Sequence, residues 1–535
     1  MTPTQEYLLK LVLEIDDICK KYDIEFFIEY GTMLGAVRHE GFIPWDNDLD
    51  IAMTEENYNK FVVACEKELD GKTRVFCDNR RNRSFPQVFG HYIDLTTCRM
   101  SKKNNYWEQY NGQWIDVFCF LELPGKEPQK QQAIDRYFAY DEFVNETFRH
   151  YRWKSDSIMK LLHEYEERSK VVGREQVMQE LEKEIFGHHY EDCDTYMVSS
   201  ARAGSPTPFV PKSAYDEPLK VKYEGHEFLV PSDYVEVLTL YYGDNFNLFP
   251  EDQRVHTEMS HSGIHGSVYV DDFTRVVDVD ALVRERKENK DALIEEGYRS
   301  MQLNSKFLQA EALKVKWDIE RRIKEEHIDV ERLLSSGKME DLAILDDLFS
   351  EYFTKQLHTQ SRYWRVHFDI GDDLEYAAMY TLFLYRNERG SIDKLFLLRS
   401  QNHLPLTDKM QSLKDSMQNI RNIKKYMIYG KYDLAKENLD WCMERFPNSR
   451  EIKIWQLRYL AQVAESQEEI AKAMELVDKL LSEYADDDYC VKAKADLYWK
   501  QGEKEKAKEY YEKLKATTND GLILLDIQKK EQSNS

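Results

Sequence analysis

Apolar residues recur at helical spacing from the first turn of the chain. Leu8, Leu11, Val12, Ile15, Ile18 and Cys19 share one face, interrupted by Lys10, Glu14, Asp16 and Asp17. The run IEFFIEY at 24–30 predicts a strand ending at Gly31-Thr32, where the chain can turn. Residues 33–47, with Gly35, Gly41 and Pro44, read as a loop or short helix, and 49–53 as a second strand. Thr54 is placed to cap the next helix, whose Tyr58, Phe61, Val62, Cys65 and Leu69 lie on a common face. Residues 114–121, WIDVFCFL, are almost continuously apolar, the mark of a central strand buried on both faces.

Mixed helix and short strand continues to about residue 275, with a strand, a helix and an ordered polar loop over 226–256. Beyond 276 strand patterns nearly vanish, and 284–299 reads as a charged helix or linker. Three similar helical segments align on Ala435, Ala471 and Ala507, 36 residues apart each time, and Gly430 and Gly502 mark equivalent turns. They resemble tetratricopeptide-type hairpins, which stack into curved surfaces. The pattern therefore predicts an α/β (α+β) domain over 1–275, a helical linker or domain over 276–410, and tetratricopeptide-like helical repeats over 411–535.

Composition narrows the class. A chain of 535 residues exceeds one hydrophobic core. Its formal net charge of −24 argues against nucleic-acid binding, which relies on Lys and Arg neutralising phosphates. The eight cysteines are scattered without a Cys-x-x-Cys pair, as in a cytoplasmic protein with reduced thiols, and a structural zinc site is not expected. The N-terminus is an amphipathic helix and not a signal peptide, and no apolar run reaches 18 residues. A membrane or envelope acceptor would then be met at the inner face of the membrane.

Candidate chemistry concentrates in 29–53, EYGTMLGAVRHEGFIPWDNDLDIAM. Strand alternation puts Asp48 and Asp50 on one side and Leu49 and Ile51 on the other. Two adjacent carboxylates repel unless a divalent cation lies between them, and Mg2+ (or Mn2+) takes such oxygen ligands along with substrate phosphates. Gly31-Thr32 followed 17 residues later by Asp48 is the nucleotidyltransferase arrangement, in which the glycine admits a phosphate and the hydroxyl adds a hydrogen bond. An isolated Asp-x-Asp is more often a solvated strand end; the Gly-Thr upstream and the stretch Phe42-Ile43-Pro44-Trp45 reverse that reading. Asp116 interrupts the apolar run at 114–121, where an unpaired charge is costly, and serves as third ligand or as base. Arg38, His39 and Arg254, with His256, are candidates for donor phosphates. Arg80, Arg81 and Arg83 read more simply as a solvated loop, and Asp46 as a supporting residue or additional ligand.

At these residues the sequence resembles the LicD family, which includes the fukutin-type phosphotransferases. The resemblance rests on Tyr30-Gly31-Thr32-x-Leu34-Gly35-Ala36-x-Arg38-His39, on Gly41 through Ile51, and on Trp114-Ile115-Asp116-Val117-Phe118 with Leu123-Pro124. Val230-Pro231, Tyr242-Gly243-Asp244 and Pro250-Glu251 with Arg254 and His256 extend it over roughly the first half of the chain. It implies a nucleotidyltransferase-like fold and magnesium-dependent transfer of a phospho-alcohol, phosphocholine-like or ribitol-phosphate-like, from a CDP-activated donor. The acceptor would be a hydroxyl of a cell-surface glycan, lipid-linked glycan or teichoic-acid-type precursor. Asp48, Asp50 and Asp116 would be the metal and catalytic carboxylates, and Gly31 and Thr32 would line the donor phosphates. Asn47 departs from the family, where many members carry another Asp. Two other readings stay open: a nucleotidyltransferase adding NMP to a sugar or small molecule, and a non-catalytic helical-repeat scaffold. A protein partner is expected at the C-terminal repeats.

Overall fold

The computed structural model describes residues 1–83, 85, 87–97, 112–144, 155–201, 209–249, 290–358, 366–447 and 449–532. Two compact units divide the chain. One comprises Met1–Tyr242, Pro250–Leu303 and Arg362–Trp364, the other Gly243–Phe249, Asn304–Ser361 and Arg365–Ser535. Residues on both sides of position 410 belong to the second unit. Arg254 and His256, together with Pro250-Glu251, Cys98 and 276–289, lie outside the described residues.

In the first unit, helix α1 (Pro3–Tyr22) begins on a capping box between Thr2 and Gln5 and buries the apolar face expected of it. Helices α2 (Tyr30–His39) and α3 (Glu55–Glu68) follow; the Thr54 side chain accepts from the Asn57 N–H at the start of α3, as its position suggested. Strands β1 (Phe27–Ile28), β2 (Asp50–Thr54), β3 (Arg74–Cys77), β4 (Gly90–Asp94) and β5 (Gln113–Glu122) build one half of a mixed sheet. After α4 (Gln129–Val144), α5 (Asp156–Val172) and α6 (Arg174–Ile185) come β6 (Thr195–Val198), β7 (Phe209–Pro211), β8 (Leu219–Tyr223) and β9 (His226–Val230), then α7 (Tyr234–Tyr242). The strand order is β3-β4-β5-β2-β1-β9-β8, with β6 pairing β5 and β7.

β5 is the central strand that its apolar run announced. It pairs with β2 in parallel and with β4 and β6 antiparallel. Ile115, Val117, Phe118, Cys119, Phe120 and Leu121 are buried, and α1 and α3 pack over this side of the sheet.

The strand expected over 24–30 is much shorter. Ile24, Phe26, Phe27 and Ile28 are all buried, yet only Phe27 and Ile28 join the ladder, opposite Ala52 and Ile51. Glu29 already caps α2, and Tyr30 opens that helix at φ 47°, a left-handed conformation uncommon for a tyrosine. Gly31-Thr32 therefore sits in the first turn of a helix and does not end a strand. The apolar run recorded burial, and the cap at Glu29 set its length.

The second unit, as far as it is described, is helical. It includes three consecutive helical hairpins, Asp408–Ile428 with Tyr432–Arg445, Arg450–Val463 with Gln467–Glu483, and Asp488–Lys500 with Lys504–Thr517. Gly430 and Gly502 turn the first and third at positive φ, and a capping box from Ser466 to Glu469 starts the return helix of the second. The 36-residue alignment slips in the middle hairpin. Ile470, fourth in its helix as Ala435 and Ala507 are in theirs, is buried, whereas Ala471 faces solvent.

Among the described residues no helix is long and apolar enough to cross a membrane. Seven cysteines are unpaired thiols there, six of them buried.

Candidate active site

The register of β2 against β5 sets the site. Asp50 lies directly opposite Asp116 across the parallel pair, and the Asp116 N–H donates to the Leu49 carbonyl at 3.1 Å. Asp48 and Asp46 precede Asp50 on the same approach to the sheet. Asp48, Asp50 and Asp116 are each half-buried and so remain reachable from solvent. Burial pushes the Asp50 carboxyl well above the ordinary range, and the neighbouring charges of Asp48, Asp116, Asp46 and Glu29 push it further the same way. Among the described residues neither Asp48 nor Asp50 has a Lys or Arg at ion-pair distance. Such an excess of negative charge is a donor set suited to a hard divalent cation. The side chains do not yet converge, since among the described residues no three His, Cys, Asp or Glu groups meet as a ligand cluster.

Helix α2 braces this edge from below. The Thr32 hydroxyl accepts from the Asp50 N–H at 2.9 Å and is buried. Thr32 thus fixes the strand that carries Asp50. Gly31 has a steric reason of its own: a Cβ there would come 2.8 Å from Asp46 Oδ2. The Asp46 carboxylate occupies the space that the missing side chain leaves. The turn bearing Asp46 is held from α1, where Gln5 Nε2 donates to the carbonyls of Ile43 and Asp46 at 3.2 and 2.9 Å.

Asp116 is oriented through one oxygen. Trp114 Nε1–H donates to its Oδ1 at 3.1 Å, and His91 Nε2 lies 2.8 Å from the same atom. His91 is its cross-strand partner on β4 and stacks on Trp114 with ring centroids 4.9 Å apart. The Trp114 bond thereby orients the carboxylate, with the His91 ring packed against the same oxygen.

Behind the acids lies a buried polar group. Glu29 accepts from the Tyr215 hydroxyl at 2.6 Å, and burial pushes its carboxyl up to about 7. The Tyr30 hydroxyl meets Ser200 at 2.6 Å, and its ring packs against Tyr241. Tyr242, at the end of α7, keeps 43% of its surface exposed, while burial of its hydroxyl and the charges of Asp50, Asp46 and Asp48 raise its pKa. Gln5, Glu29 and His91 were not singled out from the sequence, and Tyr242 entered only through the family resemblance. His91 had a legible signal, an imidazole inside the strand Gly90–Asp94, every residue of which is buried.

The basic candidates lie elsewhere. Arg38 and His39 are in the last turn of α2, roughly 10 Å of helix beyond Gly31. Arg38 Nε donates to His39 Nε2 at 3.1 Å, and its guanidinium stands 5.9 Å from the Trp45 ring. Burial first, and then Arg38, depress the His39 imidazole to about 4. Arg80, Arg81 and Arg83 do lie in a turn, with Arg81 exposed, but each is paired to an acid. Arg81 and Arg80 approach the buried Asp78 at 2.5 and 3.8 Å, and Arg83 pairs with Glu175 and Glu182.

Residues 23–148 match the family described as LicD/FKTN/FKRP, nucleotidyltransferase domain. That span encloses Gly31, Thr32, Arg38, His39, Asp46, Asp48, Asp50 and Asp116. The chain is similar to the lipopolysaccharide cholinephosphotransferase LicD of Haemophilus influenzae, 26% identical over 260 residues, which is 45% of this chain and 89% of the relative. It is 46% identical over 165 residues to an uncharacterized protein of Rickettsia typhi, covering 30% of this chain and 50% of that protein. A further uncharacterized protein, of Rickettsia prowazekii, is 46% identical over 50 residues, 9% of this chain and 19% of that one. Residues 23–148, which carry Asp50 and Asp116 on paired strands, thus match the nucleotidyltransferase domain of the LicD family.

Proposed function

We propose that the N-terminal unit transfers a phospho-alcohol, phosphocholine-like or ribitol-phosphate-like, from a CDP-activated donor to a hydroxyl of a cell-surface glycan precursor. One observation carries this reading: Asp50 and Asp116 stand side by side on parallel strands, with Asp48 and Asp46 beside them and no cation to offset Asp48 and Asp50 among the described residues. The family match over residues 23–148 and the similarity to a cholinephosphotransferase support the same class of reaction.

Asp48, Asp50 and Asp116 would hold Mg2+ or Mn2+, with Asp46 adjoining. Bound there, the ion would neutralise charge on the donor diphosphate and the leaving group. The acceptor hydroxyl oxygen forms a bond to the phosphorus bearing the alcohol, and the bond from that phosphorus to CMP breaks, its electron pair leaving with CMP. Asp116, held by Trp114 and His91, accepts the hydroxyl proton. Thr32 keeps Asp50 in register with Asp116, and the half-exposed Tyr242 lines the approach.

The test is CMP release and thermal stabilisation on incubation with Mg2+ and a panel of CDP-alcohols, with glycan precursors as acceptors. The mass gained by the acceptor identifies the group moved. An alcohol phosphate is expected; a gain of NMP, or no metal-dependent turnover with any donor, overturns the reading.

A further inference from the structure

The helical unit encloses a cavity of about 760 Å³. One wall is the stretch Gly243–Phe249, itself part of that unit, which the helices grip as they would a bound peptide. The Asp244 carboxylate accepts from Arg389 Nε at 2.5 Å and Arg421 Nε at 2.7 Å. Lys424 donates to the Asp244 carbonyl and, at 2.6 Å, to Asn247 Oδ1. Asn247 Nδ2 donates to the Asp520 carboxylate at 2.5 Å. Main-chain bonds complete the grip: Gly521 N–H to the Asn247 carbonyl at 2.9 Å, and Phe249 N–H to the Asn519 carbonyl at 2.7 Å. The stretch is thus held by an acidic side chain between two guanidiniums, with backbone pairing beside it.

The remaining cations of the cavity are matched to acids with one exception. Arg386 pairs with Asp346 at 2.5 Å, Arg450 with Asp487 at 2.9 Å, and Lys492 with Asp496 and Asp526 at 2.6 Å. Arg458 has neither an acid nor a hydrogen-bond partner among the described residues. Its guanidinium lies 3.9 Å from the Trp455 ring centroid and 4.2 Å from that of Tyr489. Tyr489 in turn donates to Asp520 at 2.8 Å and reaches Asn247 at 3.4 Å, so the guanidinium is one side chain away from the gripped stretch. Stacking fixes the plane of an arginine while leaving its edge donors for a carboxylate.

We propose that this cavity is a docking groove for an extended peptide segment of a partner protein, whose acidic side chain Arg458 receives. The lining suits such a segment, since the half-buried Leu522 offers apolar surface beside Arg458, whose edge donors have no partner among the described residues. A nucleotide or polyphosphate would bring several charges to a wall where Arg458 alone has neither an acid nor a hydrogen-bond partner among the described residues. The site is separate from the strand-borne aspartates and does not depend on what they catalyse.

The experiment uses the full chain, immobilised, and two degenerate peptide libraries that differ only in a fixed central glutamate or glutamine. The wild type should retain the glutamate library at least tenfold better, and R458Q should lose that preference while melting at the wild-type temperature. K472Q, which removes a surface cation of the Gln467–Glu483 helix paired to Glu468, should keep it. Equal retention of both libraries, an undiminished preference in R458Q, or displacement of the glutamate library by CDP or inorganic phosphate at equal charge overturns the peptide assignment.

Discussion

Asp50 and Asp116 are direct partners across β2 and β5, two carboxylates placed side by side by the register of a parallel strand pair. Burial first, and then the charges of Asp48, Asp116, Asp46 and Glu29, oppose ionisation of Asp50. D50N should therefore melt at or above the wild-type temperature in EDTA, because the amide never has to ionise in this acidic setting. It should also abolish the additional stabilisation by Mg2+ and reduce transfer by about a hundredfold or more, the scale of losing a metal-bound transition-state contact. Differential scanning fluorimetry with and without metal reads the first two effects, and CMP release the third. A D50N protein that melts lower in EDTA would show that the repulsion is already compensated.

Thr32 carries a different load from the phosphate contact its place in the motif suggested. Its hydroxyl accepts from the Asp50 N–H at 2.9 Å in a buried position. Thr32→Val leaves that donor without a partner and should cost about 1–3 kcal/mol of stability, whereas Thr32→Ser should stay within about 1 kcal/mol of the wild type. Chemical denaturation of the three proteins measures this. If the valine variant keeps wild-type stability but loses donor binding, the hydroxyl acts on phosphate.

Gly31 and Asp46 form one unit. A Cβ at 31 would stand 2.8 Å from Asp46 Oδ2, so Gly31→Ala must displace that carboxylate. The expected outcome is a loss of turnover or metal affinity similar to that of Asp46→Asn, and strong non-additivity in the double variant. Additive losses in the cycle would separate the two residues.

Much of this arrangement was legible in residue order, and the remainder depended on register. The apolar run at 114–121 announced a central strand, and the polar Asp116 within it stood out because burial made it costly. Period-two spacing predicts Asp48 and Asp50 on one side, but β2 begins only at Asp50, with Asp48 in the approach to it. Nothing in the order of residues places Asp50 opposite Asp116, since pairing across parallel strands is fixed by packing elsewhere in the sheet. The strand at 24–30 was over-read for a related reason: Ile24 and Phe26 are buried beside the sheet without joining it. Gln5 was invisible because its target, the turn at Ile43–Asp46, lies 38–41 residues away. In the repeats, a strict 36-residue spacing selected Ala471, while the helix start moved the buried position to Ile470.

Lys424 gives the helical unit a pH signature. Burial lowers its pKa to about 8, outweighing the attraction of Asp244 and Asp520. In the unfolded chain a lysine titrates near about 10.4. Between these values the unfolded state binds more protons than the folded one, so this group makes stability rise with pH. The melting temperature of the wild type should therefore gain on that of Lys424→Met as pH is raised from about 7.5 to about 9.5. A constant difference between the two proteins across that range would mean that Lys424 stays charged where it contacts Asp244 and Asn247.

Trp114 and His91 converge on one oxygen of Asp116, at 3.1 and 2.8 Å, and stack on each other. Their part in the proposed transfer is to hold the carboxylate still, which separates them from groups that touch substrate. Trp114→Phe keeps most of the apolar bulk and removes the donor. It should lower kcat by about 10–100-fold, the range for residues that orient a ligand or base, with little change in KM for the donor. His91→Gln keeps a hydrogen-bonding side chain and should cost less, and H91F in the same background as W114F should add little to the loss, since both act through the same atom. Steady-state kinetics on the CDP-alcohol that the wild type turns over distinguishes these outcomes. A rise in KM with unchanged kcat in either variant would instead place that ring against the donor.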